Sequence, residues 1–477
     1  MMVRGTKRSA ALQLLRVTAF GLLLSCWRAA TADVQIPPFQ RVQLENGTVL
    51  LLMERHDVPL VAFRALVRGG ALTDPAGQSG MSSLLANLLE KGAGQRDAYT
   101  FANAIASVGG SIAAYADTES IGISGSFLAR DATLMVELLS DMLERPQLQR
   151  EELATLRARQ IEFIRAAKDS DLGSLAAIYG QAALFQNHLY GRPTVGSEAD
   201  LATITHEDVR NHYRDYLGGD RLIVAVAGDF DTGRLAGQLK SALATWRKAQ
   251  APLPTVEAPS PAAPRVLLID APGSVQSYFW LGSLGVAKGF PDRAALDVVN
   301  TLFGGRFTSM LNSKLRIESG LTYGAQSSFE RFTQPGAWQM SSFTQTETTA
   351  EAIDASLETL EALHVNALDP ELLVSGRSYR LGQYPLAFET AAQWAAALAD
   401  LEFYELDRSY IDGYGAALQA VTAQDARRMI NERFPLRKQL TMVVIGNAAK
   451  IRDSLRRYGP LAEMRLSDPS FTLPAKR

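Results

Sequence analysis

Residues 77–94 read GQSGMSSLLANLLEKGAG. Met81, Leu84, Leu85, Leu88 and Leu89 recur at the spacing of one buried helix stripe, which predicts an amphipathic helix over 80–91. Ser79 is placed to cap its start and Gly92 to stop it. Ser83, Ala86 and Asn87 share another face. Their spacing is that at which two imidazoles one turn apart, with an adjoining carboxylate, would bind Zn²⁺ and polarise a metal-bound water. These three side chains cannot do that chemistry: alanine has no donor atom, and serine and asparagine are poor zinc ligands. The five histidines, His56, His188, His206, His212 and His364, offer no i, i+3 or i, i+4 pair, so each reads as a surface or packing residue.

The elements that must hold such a face are set by a chain of 477 residues, enough for about two to four domains. Its apolar content of 47% excludes global disorder. Lys and Arg number 48 against 50 Asp and Glu, for a net charge of −2, and no basic run occurs, so nothing points to a nucleic-acid partner. At the N-terminus, Arg4, Lys7 and Arg8 precede the apolar run 17–27, and Ala30-Thr31-Ala32 forms a small-x-small cleavage site. Residues 1–32 thus read as a signal peptide and the mature chain as exported to the periplasm; a buried helix of a cytosolic protein is the alternative. The run is too short to span a bilayer. Cys26, the one cysteine, lies in Leu23-Leu24-Ser25-Cys26, which resembles a lipoprotein box. Two outcomes stand: cleavage after Ala32, leaving no cysteine, or a membrane lipid anchor on Cys26.

A Pro/Ala-rich stretch, 249–264, reads as an extended linker between two halves, 33–248 and 265–477. The halves repeat. ITHEDVRNHYRDYLGGDRLIVAVAGDF (204–230) and VTAQDARRMINERFPLRKQLTMVVIGNAA (421–449) each open on a Thr cap, Thr205 or Thr422, with Asp208 or Asp425 three residues on. Each runs through a helix into an apolar strand ending at Gly228 or Gly446. Two copies of one α+β unit are expected, with chance likeness of two helix–strand pairs as the alternative. Strands over 50–54 and 59–67, helices over 132–143 and 152–164, and a turn at Gly109-Gly110 entering a strand complete the first unit.

TLFGGRFTSMLNSKLRIESGLTYGAQSSF (301–329) resembles the C-terminal unit of the insulinase or pitrilysin-type peptidases. The likeness extends to GQSGMSSLLANLLEKGAG, to GGSIAAYAD (109–117) and to His188-Leu189-Tyr190-Gly191-Arg192-Pro193. It implies an α+β fold of two homologous α/β-roll domains. It also implies that Ser83, Ala86 and Asn87 replace the His-x-x-Glu-His residues of the inverzincin helix. The family's third zinc ligand, a Glu, falls on Phe163 here, beside Glu162. A further family Glu falls on Leu156, and the Asn of the substrate strand on Ala113 or Ala114. Arg316 and Tyr323 match an Arg and a Tyr that catalytic assemblies bring from the half opposite the zinc. A guanidinium and a phenol there can donate hydrogen bonds to a substrate carbonyl as it becomes an oxyanion; outside the matched segment they would read as an ordinary helix-end Arg and a packing Tyr.

The resemblance therefore implies an exported, non-catalytic subunit of a heterodimeric zinc endopeptidase. This chain would bind no metal of its own. The zinc would belong to a homologous partner subunit, whose peptide substrate Arg316 and Tyr323 would contact in trans. The alternatives are a pseudo-peptidase that binds peptides or a protein partner without cleavage, and a structural subunit like the bc1 core proteins.

Overall fold

Alternating and continuous apolar runs build one six-stranded sheet in each half, seen in a computed structural model that describes residues 34–260, 263 and 265–472. The signal segment and Cys26 lie outside these residues. The first sheet comprises β1 (Gln40–Gln43), β2 (Val49–Glu54), β3 (Leu60–Arg68), β4 (Ser111–Ala116), β5 (Ser120–Leu128) and β6 (Leu222–Gly228), in the order β1-β2-β6-β3-β5-β4. The second comprises β7 (Val266–Asp270), β8 (Gln276–Leu284), β9 (Ala325–Phe329), β10 (Ala337–Gln345), β11 (Thr441–Gly446) and β12 (Leu461–Arg465), in the order β9-β10-β8-β11-β7-β12.

Five strands superimpose in order: β2-β6-β3-β5-β4 runs as β7-β11-β8-β10-β9. The single parallel pair of the five, β2 with β6, recurs as β7 with β11. The halves differ at the sixth strand. β1 comes from the N-terminal side and pairs antiparallel with β2, whereas β12 comes from the C-terminal side and pairs parallel with β7. Both repeat helices, His206–Tyr216 and Ala423–Arg433, start at the expected capping boxes, with Thr205 and Asp208, and Thr422 and Asp425, bonding reciprocally.

Each half lends a helix to the other's sheet. Helix α3 (Leu172–Phe185) belongs to the first half, where it follows α1 (Met81–Leu89) and α2 (Arg150–Ser170), yet it lies across β8 and β11 of the second sheet. Its Leu175, Ala176 and Tyr179 share one core with Trp280, Val443 and Ile445. Reciprocally, α4 (Ala391–Phe403) of the second half lies across β3 and β6, and Trp394, Ala395, Leu398 and Ala399 pack with Leu66, Ile223 and Ala225. Each of the leucines, valines and isoleucines among them, fully buried, contributes about 1.5–3 kcal/mol, so the halves are bound by shared cores. The Pro/Ala-rich stretch is also fastened rather than free along its start. Ala251 N–H donates 2.9 Å to the Asp215 carbonyl, and His188 Nε2 donates 2.9 Å to the Glu257 carbonyl.

Candidate functional site

Helix α1 forms where the apolar stripe predicts, but its N-terminus is built differently from expectation. The N-cap is Gly80, in the left-handed region at φ 89°, where a side chain would strike the Gly196 backbone. Ser79 instead donates to Asp200, and the cap is supplied from outside by Asp74. That carboxylate accepts from Gly80 N–H at 2.8 Å, Ser82 N–H at 2.9 Å and Ser82 Oγ at 2.6 Å. Burial pushes the Asp74 carboxyl up to about 7 against those bonds and the nearby Arg192 guanidinium. Burial also pushes His212, whose Nε2 faces Ser82 Oγ at 3.3 Å, down to about 4, so this network carries a neutral imidazole.

On α1, Ala86 is fully buried, while Ser83 and Asn87 are half-buried. Phe163, on the neighbouring α2, is 65% exposed; Glu162 beside it is ion-paired to Arg165 at 2.7 Å, and Leu156 is buried in the core. A hydroxyl, a methyl, an amide and a phenyl group do not fit a zinc ion. Among the described residues, no group of three or more His, Cys, Asp or Glu is placed to hold a metal ion. The histidines serve the fold: His56 Nδ1 and Nε2 bond Asp229 at 2.6 Å and Glu54 at 2.9 Å, and His206 Nε2 bonds the Leu148 carbonyl at 2.6 Å. Edge strand β4 lies against α1, and the N–H of Ala114 donates 2.5 Å to Glu90 Oε1. Glu90 thus occupies one outward amide of that edge.

Arg316 and Tyr323 come together. The helix expected to reach Arg316 continues through a π-helical turn, Ser313–Glu318, and stops at Gly320 with φ 63°. The chain doubles back there, Leu321 N–H bonding the Leu315 carbonyl at 2.8 Å. Arg316 Nη1 then donates 2.9 Å to the Tyr323 carbonyl, and its guanidinium sits 4.7 Å over the Phe307 ring. The Tyr323 side chain is 79% exposed. Both residues line a cavity of ≈ 650 Å³ with Gly304, Gly305, Arg306 and Phe343, which α3 closes through Gly173 and Ala176. A substrate carbonyl in this cavity could meet a guanidinium and a phenol, which is oxyanion chemistry.

On the other flank of α3, where Ala177, Ile178 and Gln181 form the wall, a second cavity of ≈ 420 Å³ opens between the halves. It is acidic. Asp117 and Glu119 come from the first half, Glu330 and Asp400 from the second. Burial pushes the Asp117 and Glu330 carboxyls up. Neither cavity has Ser83, Ala86, Asn87 or Phe163 in its wall. The sequence reading missed Arg306, Glu90 and both cavities; the one signal for Arg306 was its place directly after the glycine turn.

Residues 50–198 match the family model described as Insulinase (Peptidase family M16), and residues 203–378 match the Peptidase M16 inactive domain. The chain belongs to the insulinase family. An uncharacterised zinc protease of Streptomyces coelicolor is 23% identical over 414 residues, covering 85% of this chain and 89% of that one. A Helicobacter pylori protein named non-peptidase homolog YmxG is 22% identical over 403 residues, covering 83% and 91%. The beta subunit of mitochondrial-processing peptidase from Dictyostelium discoideum is 21% identical over 224 residues, 46% of each chain. The crystal structure of a protease from Helicobacter pylori shares the fold at a TM-score of 0.80, 20% identity and coverage of 86% of this chain and 100% of that one. Two insulinase-type α+β domains are therefore present. Ser83, Ala86, Asn87 and Phe163 offer no zinc ligand, in keeping with a non-catalytic member of the insulinase family.

Proposed function

We propose that this chain is the exported, non-catalytic subunit of a heterodimeric zinc endopeptidase, working in the periplasm with either a cleaved signal or a lipid anchor on Cys26. A homologous partner subunit holds the zinc and supplies the hydrolytic chemistry, and Arg316 and Tyr323 reach its peptide substrate in trans. The observation that carries this reading is the Arg316–Tyr323 pair: tied together through one backbone bond, free of any carboxylate partner among the described residues, and facing a cavity. The emptied zinc helix alongside an intact Arg–Tyr segment supports the same division of labour, as does the likeness to a named processing-peptidase subunit. The test is a pull-down of the tagged chain from its host with a peptide-hydrolysis assay on the eluate. A co-eluting chain with an intact His-x-x-Glu-His helix, and chelator-sensitive cleavage that falls with Arg316→Ala, is the expected result. A chain eluting alone and without hydrolysis overturns it.

A second reading, a peptide-binding pseudo-peptidase, is favoured by the likeness to a protein named a non-peptidase homolog. It requires that Arg316→Ala leave the function of the assembly unchanged.

A further inference from the structure

The wall of the cavity beside the glycine turn contains two arginines, Arg306 and Arg316, and no aspartate or glutamate. Neither guanidinium has a carboxylate partner among the described residues. Arg306 Nη1 donates 2.9 Å to Ser375 Oγ, and Arg316 Nη1 donates 2.9 Å to the Tyr323 carbonyl, each a single bond to a neutral acceptor. Arg306 Nε is buried with no hydrogen-bond partner among the described residues. A guanidinium carries five N–H donors in a fork that matches a carboxylate. Two arginines on one wall with no carboxylate in it leave N–H donors and positive charge that a bound carboxylate would meet.

The same cavity is closed to recognition by strand addition. Along edge strand β9, the outward N–H groups of Ala325 and Ser327 are already bonded, to Asn312 Oδ1 at 2.9 Å and the Gly304 carbonyl at 3.1 Å. The Ser327 carbonyl accepts from Asn300 Nδ2 at 2.9 Å. Apart from the one carbonyl that Arg316 and Tyr323 would meet, a ligand here is held by its side chain or its terminus rather than by strand pairing. Aromatic Tyr278, Phe307 and Phe343 offer surface to the body of such a ligand. The cavity on the other flank of α3 carries Asp117, Glu119, Glu330 and Asp400 against Arg64 and Arg192, so of the two it is the less favourable for an anion.

We propose that Arg306 and Arg316 form a carboxylate-binding site, which selects peptides bearing an acidic side chain or a free C-terminus at this cavity. The proposal rests on the reading that the chain handles peptides and names their class; Arg306 is its specificity determinant and Arg316 serves both roles.

Calorimetric titration of the mature chain, without any partner, tests it. The probes are acetyl-Ala-Ala-Phe-Glu-Ala-Ala-amide, its Glu-to-Gln isostere, and the Gln peptide with a free C-terminal carboxylate. The Glu peptide, the free-acid peptide, or both, bind about tenfold more tightly than the neutral probe, the margin expected of a charge-assisted hydrogen bond. Which one does so assigns the carboxylate to a side chain or a terminus. Arg306→Gln abolishes the preference and Arg306→Lys keeps part of it, the two variants melting like the parent chain. Equal binding of all three probes, binding of none, or an acid preference that survives Arg306→Gln overturns the proposal. Should the preference be absent while Arg316→Ala still stops hydrolysis by the assembly, the carboxylate site falls and the trans-acting role stands. Should the preference hold in a chain that has no partner, the reverse follows.

Discussion

The fully buried ring of Trp280, in the second sheet, fills the space that a side chain at Gly180 of α3 would need: a Cβ there would stand 2.3 Å from Cδ2. A glycine inside a helix ordinarily costs about 1 kcal/mol against alanine. Here it lets a helix of one half touch the sheet of the other.

Gly180→Ala is therefore expected to destabilise the protein by about 1–3 kcal/mol despite its better helix propensity, because the indole cannot move within a packed core. Gly382, in the helix Pro370–Gln383, has nothing within 4 Å of its absent Cβ. Gly382→Ala should be neutral or stabilising by up to about 1 kcal/mol. Denaturant unfolding of both variants measures the contrast, and equal shifts would mean that α3 does not dock as described.

Helix α1 offers no zinc ligand at Ser83, Ala86 or Asn87, and its Ala86 side is packed into the core. Ala86 is fully buried, so Ala86→Glu places a carboxylate where no partner waits, and a loss above about 2 kcal/mol is expected. Ser83→His and Asn87→His, at half-buried positions, should cost less than about 1 kcal/mol each. With the exposed phenyl of Phe163 offering no donor atom, the His pair alone should leave zinc affinity weak, which metal analysis of the dialysed double variant would check.

For the assembly, Arg316→Ala should lower kcat about 10²–10³-fold, the usual consequence of removing one oxyanion donor. Tyr323→Phe should act in the same direction. Both side chains are exposed, so melting temperatures should hardly change. A fall in stability matching the fall in rate would assign the pair a structural role instead.

Asp297 supplies a pH signature. Its burial works against ionisation, yet Arg331, Arg380 (3.7 Å) and the Tyr414 hydroxyl (2.5 Å) hold its carboxyl below the usual carboxylate range. The folded pKa lies under the unfolded one, so the stabilisation is present above the unfolded pKa, about 3.9, and is lost as pH falls through the folded value. Asp297→Asn leaves the half-buried Arg331 and Arg380 guanidiniums without a carboxylate and should cost about 1–3 kcal/mol at pH 7. The gap between variant and parent, read from unfolding curves, should narrow below about pH 4. A gap that stays constant would exclude the ion-pair account.

Much of the architecture is local and therefore legible in the sequence. The capping boxes at Thr205 and Thr422 need only residues three apart, and the strands ending at Gly228 and Gly446 need only a continuous apolar run. The ligandless face of Ser83, Ala86 and Asn87 follows from helix periodicity and side-chain chemistry, whereas Arg316 and Tyr323 are singled out by the family resemblance of their segment, and the glycine stop between them is local.

What only tertiary structure decided is whatever depends on residues far apart in the chain. Ser79 reads as a cap by position, but Asp74, swung back by the preceding loop, reaches the amides first and leaves Ser79 to Asp200. The exchange of α3 and α4 between sheets has no signature in either helix, since an apolar stripe specifies that it is covered and not what covers it. The unpaired state of Arg306 and Arg316, and the collection of Asp117, Glu330 and Asp400 opposite them, are properties of the space between elements. Side-chain type and local spacing set what each residue can do; long-range packing sets which residues meet.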